Sequence, residues 1–89
     1  MQVVFDMGEV RHIRIRVKNT DGEPFQITTA EYEITNKDTK EKIQSGQAMI
    51  IEHDMDVVFV PPTRGDYKLK YTYIIGDETL VDIVEVSVL

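Results

Sequence analysis

The sequence predicts an all-β domain folded as a sandwich of two antiparallel sheets, and three observations carry that prediction. Apolar and polar residues alternate in segment after segment. Helical periodicity is absent almost throughout, and turn residues break the alternation at the short intervals that sandwich strands need. The 89 residues suffice for one domain, spanning 1–89, with a single modest core.

The elements follow in order. Residues 2–5 form a first short strand, and Gly8 marks a bend. Residues 10–18 form a second strand with Ile13, Ile15 and Val17 on one face and basic side chains on the other. Asp21-Gly22 supplies turn chemistry with positive φ, and Pro24 stops the ladder before the next strand. In residues 27–35 Ala30, Tyr32 and Ile34 face inward, while Phe25 and Ile27 lie on the opposite parity, which predicts a bulge between them.

A polar turn over 36–41 leads to a short strand at 42–45 and then to an apolar stretch too long for one strand. It divides at Glu52-His53-Asp54 into strands near 47–51 and 55–60, and Pro61-Pro62 ends the second. Residues 66–75 alternate most regularly, with Tyr67, Leu69, Tyr71, Tyr73 and Ile75 on one side, as expected of a central strand. After Gly76-Asp77 the last strand, 79–89, has Val81 and Ile83 on one parity and Val84, Val86 and Val88 on the other, which predicts a second bulge near Ile83.

The outward charges predict which strands touch, because opposite charges on neighbouring strands attract and like charges repel. His12, Arg14, Arg16 and Lys18 on the second strand match Asp54 and Asp56, so these two strands are expected to pair. Lys68 and Lys70 match Glu31 and Glu33 on one side and Asp82 and Glu85 on the other, which places the lysine strand between two acidic ones.

Composition excludes several functions. With no cysteine, there is no disulfide, no thiol nucleophile and no cysteine-type zinc site. A net charge of −6 opposes general binding to nucleic acid or an anionic membrane, so neither is an expected partner. The Met1 end enters an apolar strand directly, with no basic region and long apolar core, and predicts cytoplasmic synthesis without a signal peptide.

Ser45 and Ser87 are the only serines and neither lies in a Gly-x-Ser-x-Gly elbow; no Gly-rich phosphate loop occurs. No catalytic, cofactor or metal residues are expected, since Glu52-His53-Asp54 reads as an exposed turn and a metal needs three or more converging ligands. Arg64-Gly65-Asp66 spells an integrin-binding tripeptide, but its place just before a core tyrosine explains it as a structural corner.

The stretch Thr63-Arg64-Gly65-Asp66-Tyr67-Lys68-Leu69 resembles the tyrosine corner of immunoglobulin and fibronectin type III domains, where Gly-x-Tyr-x-apolar opens strand F. The resemblance implies an immunoglobulin-like sandwich of about seven antiparallel strands, with Tyr67 as the corner tyrosine and Gly65 beside it. Tyr32 is the nearest candidate for the strand C aromatic, because tryptophan and the cysteine pair are both absent. Together with Asp21-Gly22-Glu23-Pro24, the pattern is similar to small bacterial and bacteriophage surface or virion domains. It implies a non-catalytic structural or protein–protein interaction module, located in the virion if the protein is a phage one.

The expected partners are other protein subunits, or a second copy added through an edge strand. The candidate assembly edge is Val84, Val86 and Val88, an apolar run with little charge protection. Two alternatives stay open: a carbohydrate- or peptide-binding module using loops at one end of the sandwich, and an accessory subunit of an enzyme.

Overall fold

β-Branched and aromatic residues dominate the alternating segments, and such side chains suit a pleated surface buried on one face. In the computed structural model, which describes residues 1–18 and 22–89, these segments form eight strands and no helix. They are β1 (Gln2–Phe5), β2 (Arg11–Arg16), β3 (Ile27–Asn36), β4 (Lys42–Gln47), β5 (Met49–Ile51), β6 (Asp54–Phe59), β7 (Gly65–Ile75) and β8 (Glu78–Val88). The expected Asp21-Gly22 turn begins on a residue outside the described ones.

Five strands make one sheet in the order β1-β8-β7-β3-β4, and three make the other in the order β2-β6-β5. The eight strands correspond to the eight segments read from the sequence, one more than the roughly seven implied by the resemblance, and β4 and β5 belong to different sheets. The chain crosses between them at Ala48, whose N–H donates to the Ala30 carbonyl at 3.0 Å. Not every pairing is antiparallel either: β1 runs parallel to β8, from Gln2 beside Glu85 to Phe5 beside Val88.

Both expected sets of strand neighbours are found, but Asp82 does not face a lysine: it lies opposite Tyr71 on the parity of the core valines, and Ile83 faces Lys70. Arg14 faces Asp56 and Arg16 faces Asp54 across β2 and β6, and β7 lies between β3 and β8, with Lys70 opposite Glu33 and Lys68 opposite Glu85. The bulge expected early in the third strand is present as a register shift between Ile27 and Thr29.

The bulge expected near Ile83 is absent. β7 and β8 stay in unbroken register from Gly65 opposite Val88 to Ile75 opposite Glu78. With the parity unbroken, Val84, Val86 and Val88 point into the core while Val81 and Ile83 point to solvent.

The core lies between the sheets. Phe59 of β6 meets Phe5 of β1 edge-on at 5.6 Å and Tyr67 of β7 at 5.3 Å between ring centroids, so one residue of the small sheet packs on two strands of the large one. Ile13, Met55 and Val57 join it from the small sheet, and Ile34, Leu69, Val84 and Val86 from the large. Tyr71 spans the sandwich, its hydroxyl donating to the Ile13 carbonyl at 2.6 Å. Gln44 joins the sheets near β4, its amide donating to the Tyr32 hydroxyl at 2.9 Å and to the Val58 carbonyl at 2.8 Å. The Tyr67 hydroxyl donates to the Thr63 carbonyl four residues upstream, at 2.9 Å, and meets the Thr63 hydroxyl at 2.7 Å. Gly65 between them has φ +135°, a conformation that favours glycine.

Candidate interaction surfaces

The residues singled out as an assembly edge are core residues. Val84, Val86 and Val88 are 1%, 1% and 4% exposed, and their strand is hydrogen-bonded on both sides, by β7 and by β1. The candidate edge at Val84, Val86 and Val88 is therefore corrected: the parallel strand β1 occupies it, because the Met1 end folds back beside residues 85–88. Proline at Val86 would break an interior ladder there instead of trimming an edge.

The open part of β8 lies earlier. β1 begins pairing at Glu85, so among the described residues 78–84 pair with β7 on one side and with no strand on the other. Here Val81 and Ile83 are 49% and 46% exposed. Thr79, Val81 and Ile83 make a β-branched row on the solvent face, opposite Ile74, Thr72 and Lys70 of β7. Of the two acids in this stretch, Glu78 lies at its start, and Asp82 accepts a hydrogen bond from the Tyr73 hydroxyl at 2.7 Å.

The other edges are guarded in ways that discourage added strands. β1 has only 4 residues and its Val4 carbonyl accepts from Arg11 Nη1 at 2.8 Å, β2 carries Arg11, Arg14 and Arg16, β4 reads Lys-Ile-Gln-Ser-Gly-Gln, and β5 has only 3 residues.

A second surface is the outer face of the small sheet. Asp54 and Asp56 point outward on its middle strand yet are buried, because Arg14 and Met49 flank Asp56 while Arg16 and Ile51 flank Asp54. Asp54 accepts from Arg16 Nε at 2.8 Å, Asp56 Oδ2 lies 2.6 Å from His12 Nδ1, and Arg14 Nε is 3.6 Å from Asp56 Oδ1. That last oxygen is buried without a hydrogen-bond partner among the described residues.

The ladder fixes register. A one-residue slip would set the arginines against the core face of β6 and leave two carboxylates buried without cations. The hydrogen bond and charge of Arg16 hold the Asp54 carboxyl below its ordinary value of 3.8. A depressed carboxyl stabilises the fold above the unfolded value, and that contribution is lost as pH falls through the folded one. In Arg16→Gln the thermal midpoint should therefore fall at neutral pH and depend less on pH below about pH 4 than in the wild type. Parallel pH profiles for the two proteins would contradict the assignment.

A third surface lies at the end of the sandwich where the loop before β3 meets the β5–β6 turn. Phe25 and His53 stack at 4.1 Å and 18°, and His53 Nε2 lies 3.1 Å from the Phe25 carbonyl. Beside them is an open hollow of about 560 Å³ lined by Phe25, Ile27, Thr28, Ile50, Glu52 and His53. The sequence placed Glu52-His53-Asp54 in an exposed turn; the turn is there over Glu52 and His53, with Glu52 at φ +55°, while Asp54 belongs to β6 and is buried. The aromatic stack was not foreseen, since Phe25 is 28 residues away in sequence.

No group of three histidine, aspartate or glutamate side chains converges as a metal site among the described residues, and no helix there is long and apolar enough to cross a membrane. Asp66 of the Arg-Gly-Asp tripeptide sits within β7 and accepts from the Ser87 hydroxyl at 3.0 Å. Tyr67, Tyr71 and Tyr73 are core residues with no exposed ring face. Comparison with family models, with curated proteins and with solved structures gives no match to this chain.

Proposed function

We infer that the chain is a non-catalytic interaction module of immunoglobulin-like fold, which joins other protein subunits by offering the open half of β8 to an extended strand. The observation that carries this reading is the unpaired edge over residues 78–84 with its exposed Val81 and Ile83. Backbone groups left unpaired on an edge supply the affinity for an added strand, and alternate side chains supply the specificity.

The strand order supports the immunoglobulin-like assignment. β2 and β6 pair as strands B and E, β3, β7 and β8 as C, F and G, with β4 and β5 as C′ and D. The Tyr67 bond to Thr63 is the tether that a tyrosine corner makes. A place in a virion or a bacterial surface assembly rests on resemblance to domains of that kind.

In cells, a photo-reactive amino acid at position 81 should form a discrete protein adduct, while the same group at exposed Thr39 in the β3–β4 turn should not. No adduct at position 81, or equal labelling at both, would overturn the reading. The Phe25–His53 hollow favours a second reading, in which the loop end binds a glycan or peptide; a ligand whose affinity falls in Phe25→Ala would support it.

A further inference from the structure

The open stretch of β8 has one central residue. It begins where β8 begins, at Glu78, and ends at residue 84, where β1 takes over, so Val81 lies at its centre. An antiparallel copy of the same strand, related by a two-fold axis through Val81, uses the whole of the free edge and stops where β1 starts. The described residues beyond the stretch are a tight turn at Gly76-Asp77 on one side and the β1-covered half on the other.

We propose that the strand received at this edge belongs to a second copy of the chain, paired antiparallel with Val81 facing its own counterpart, so that two five-stranded sheets become one of ten. The proposal rests on the edge reading above and names its occupant.

The register follows from which side chains meet. With Val81 opposite Val81, Thr79 faces Ile83 and the outer face of the seam is β-branched throughout. On the inner face Leu80 meets Asp82, whose carboxylate is already held by Tyr73. A shift of the axis by one residue toward the N-terminus sets Glu78 opposite Asp82, and a shift the other way sets Asp82 opposite itself. Either places like charges directly across the seam, which is destabilising. An axis further along collides with β1.

Closed two-fold pairing of one patch with itself is also the commonest form of assembly, and it uses up the open stretch of β8 on both copies. The seam is small, so the dimer is expected to be weak and dynamic. Each copy carries a net charge of −6, so raising the salt concentration should strengthen the dimer by screening repulsion between the copies.

The chain has no cysteine, which permits a register-specific test on the purified full-length protein. Under mild oxidation Val81→Cys should form a disulfide dimer about tenfold faster than the loop control Thr39→Cys, because pairing raises the local thiol concentration. Thr79→Cys and Ile83→Cys should each resemble the control alone and crosslink to one another when mixed. Val81→Cys no faster than Thr39→Cys overturns the second copy as occupant, and Thr79→Cys dimerising with itself as fast as Val81→Cys overturns the register. If Val81→Cys stays monomeric while the photo-reactive group at position 81 captures a different protein, the edge reading stands and the self-pairing falls.

Discussion

Phe59→Ala is expected to cost about 3–5 kcal/mol, the range for removing a fully buried aromatic ring from a core. A domain of this size is stable by about 4–13 kcal/mol, so the loss takes roughly a quarter of the total or more. The effect is large because the ring holds both sheets: Phe5 and Tyr67 each lie edge-on to it, and neither can fill the space it leaves without giving up its own contacts. Urea unfolding reads the change as a lower midpoint with unchanged slope. The neighbouring Val58→Ala, on the outer face of the same strand, should change stability by about 0.5 kcal/mol or less. Similar losses at both positions would contradict the inward facing of Phe59.

Tyr71→Phe is expected to cost about 1–3 kcal/mol, because it strips the donor from the carbonyl of a buried residue, Ile13, in the opposite sheet. The same edit at Tyr67 should cost about 1 kcal/mol, since Thr63 is exposed and water can replace the phenol at its carbonyl. The difference has a counterpart in alkali. Burial, and then the nearby Asp56 charge, raise the Tyr71 phenol well above its ordinary value of 10.0. Burial and Asp82 push Tyr73 up to about 12.

A phenol that holds its proton more tightly when folded stabilises the protein fully below the unfolded value, and the contribution is lost as pH rises from there through the folded one. Wild-type stability should therefore fall steadily above pH 10, and Tyr71→Phe should fall less steeply over the same range. Equal slopes in the two proteins would place the Tyr71 hydroxyl outside the core.

Much of this architecture was legible in the residues because each strand has one buried face. The period-2 rows Ile13/Ile15/Val17 and Tyr67/Leu69/Tyr71/Tyr73 give facing directly, and the arginine–aspartate and lysine–glutamate rows give neighbours. Charge pairing carries no information about which strand adds at an uncharged border. The parallel placement of β1 beside β8 was hidden for that reason, since Gln2–Phe5 has no charge to read.

The bulge assigned near Ile83 came from treating two apolar parities as evidence for a phase change. An unbroken strand with valines on its core face and Val81 and Ile83 on its open half satisfies the same residues. What distinguishes the cases is that residues 79–89 contain no glycine or asparagine to ease a bulge, whereas the shift in β3 follows a Pro24-interrupted approach. The candidate site shifted with that reading, from the covered half of β8 to the open half. The Phe25–His53 stack joins two loops distant in sequence, and no alternation along either segment links the two residues.

The most direct measurement of the central claim is residue-resolved amide hydrogen exchange over a concentration series. The backbone groups of residues 79–83 that point away from β7 should exchange rapidly in dilute protein and become protected as concentration rises, while the ladder over residues 84–88 stays protected throughout. Exchange over 79–83 that is slow and independent of concentration would mean the edge is covered within one molecule, and fast exchange at every concentration would mean that no second copy uses it.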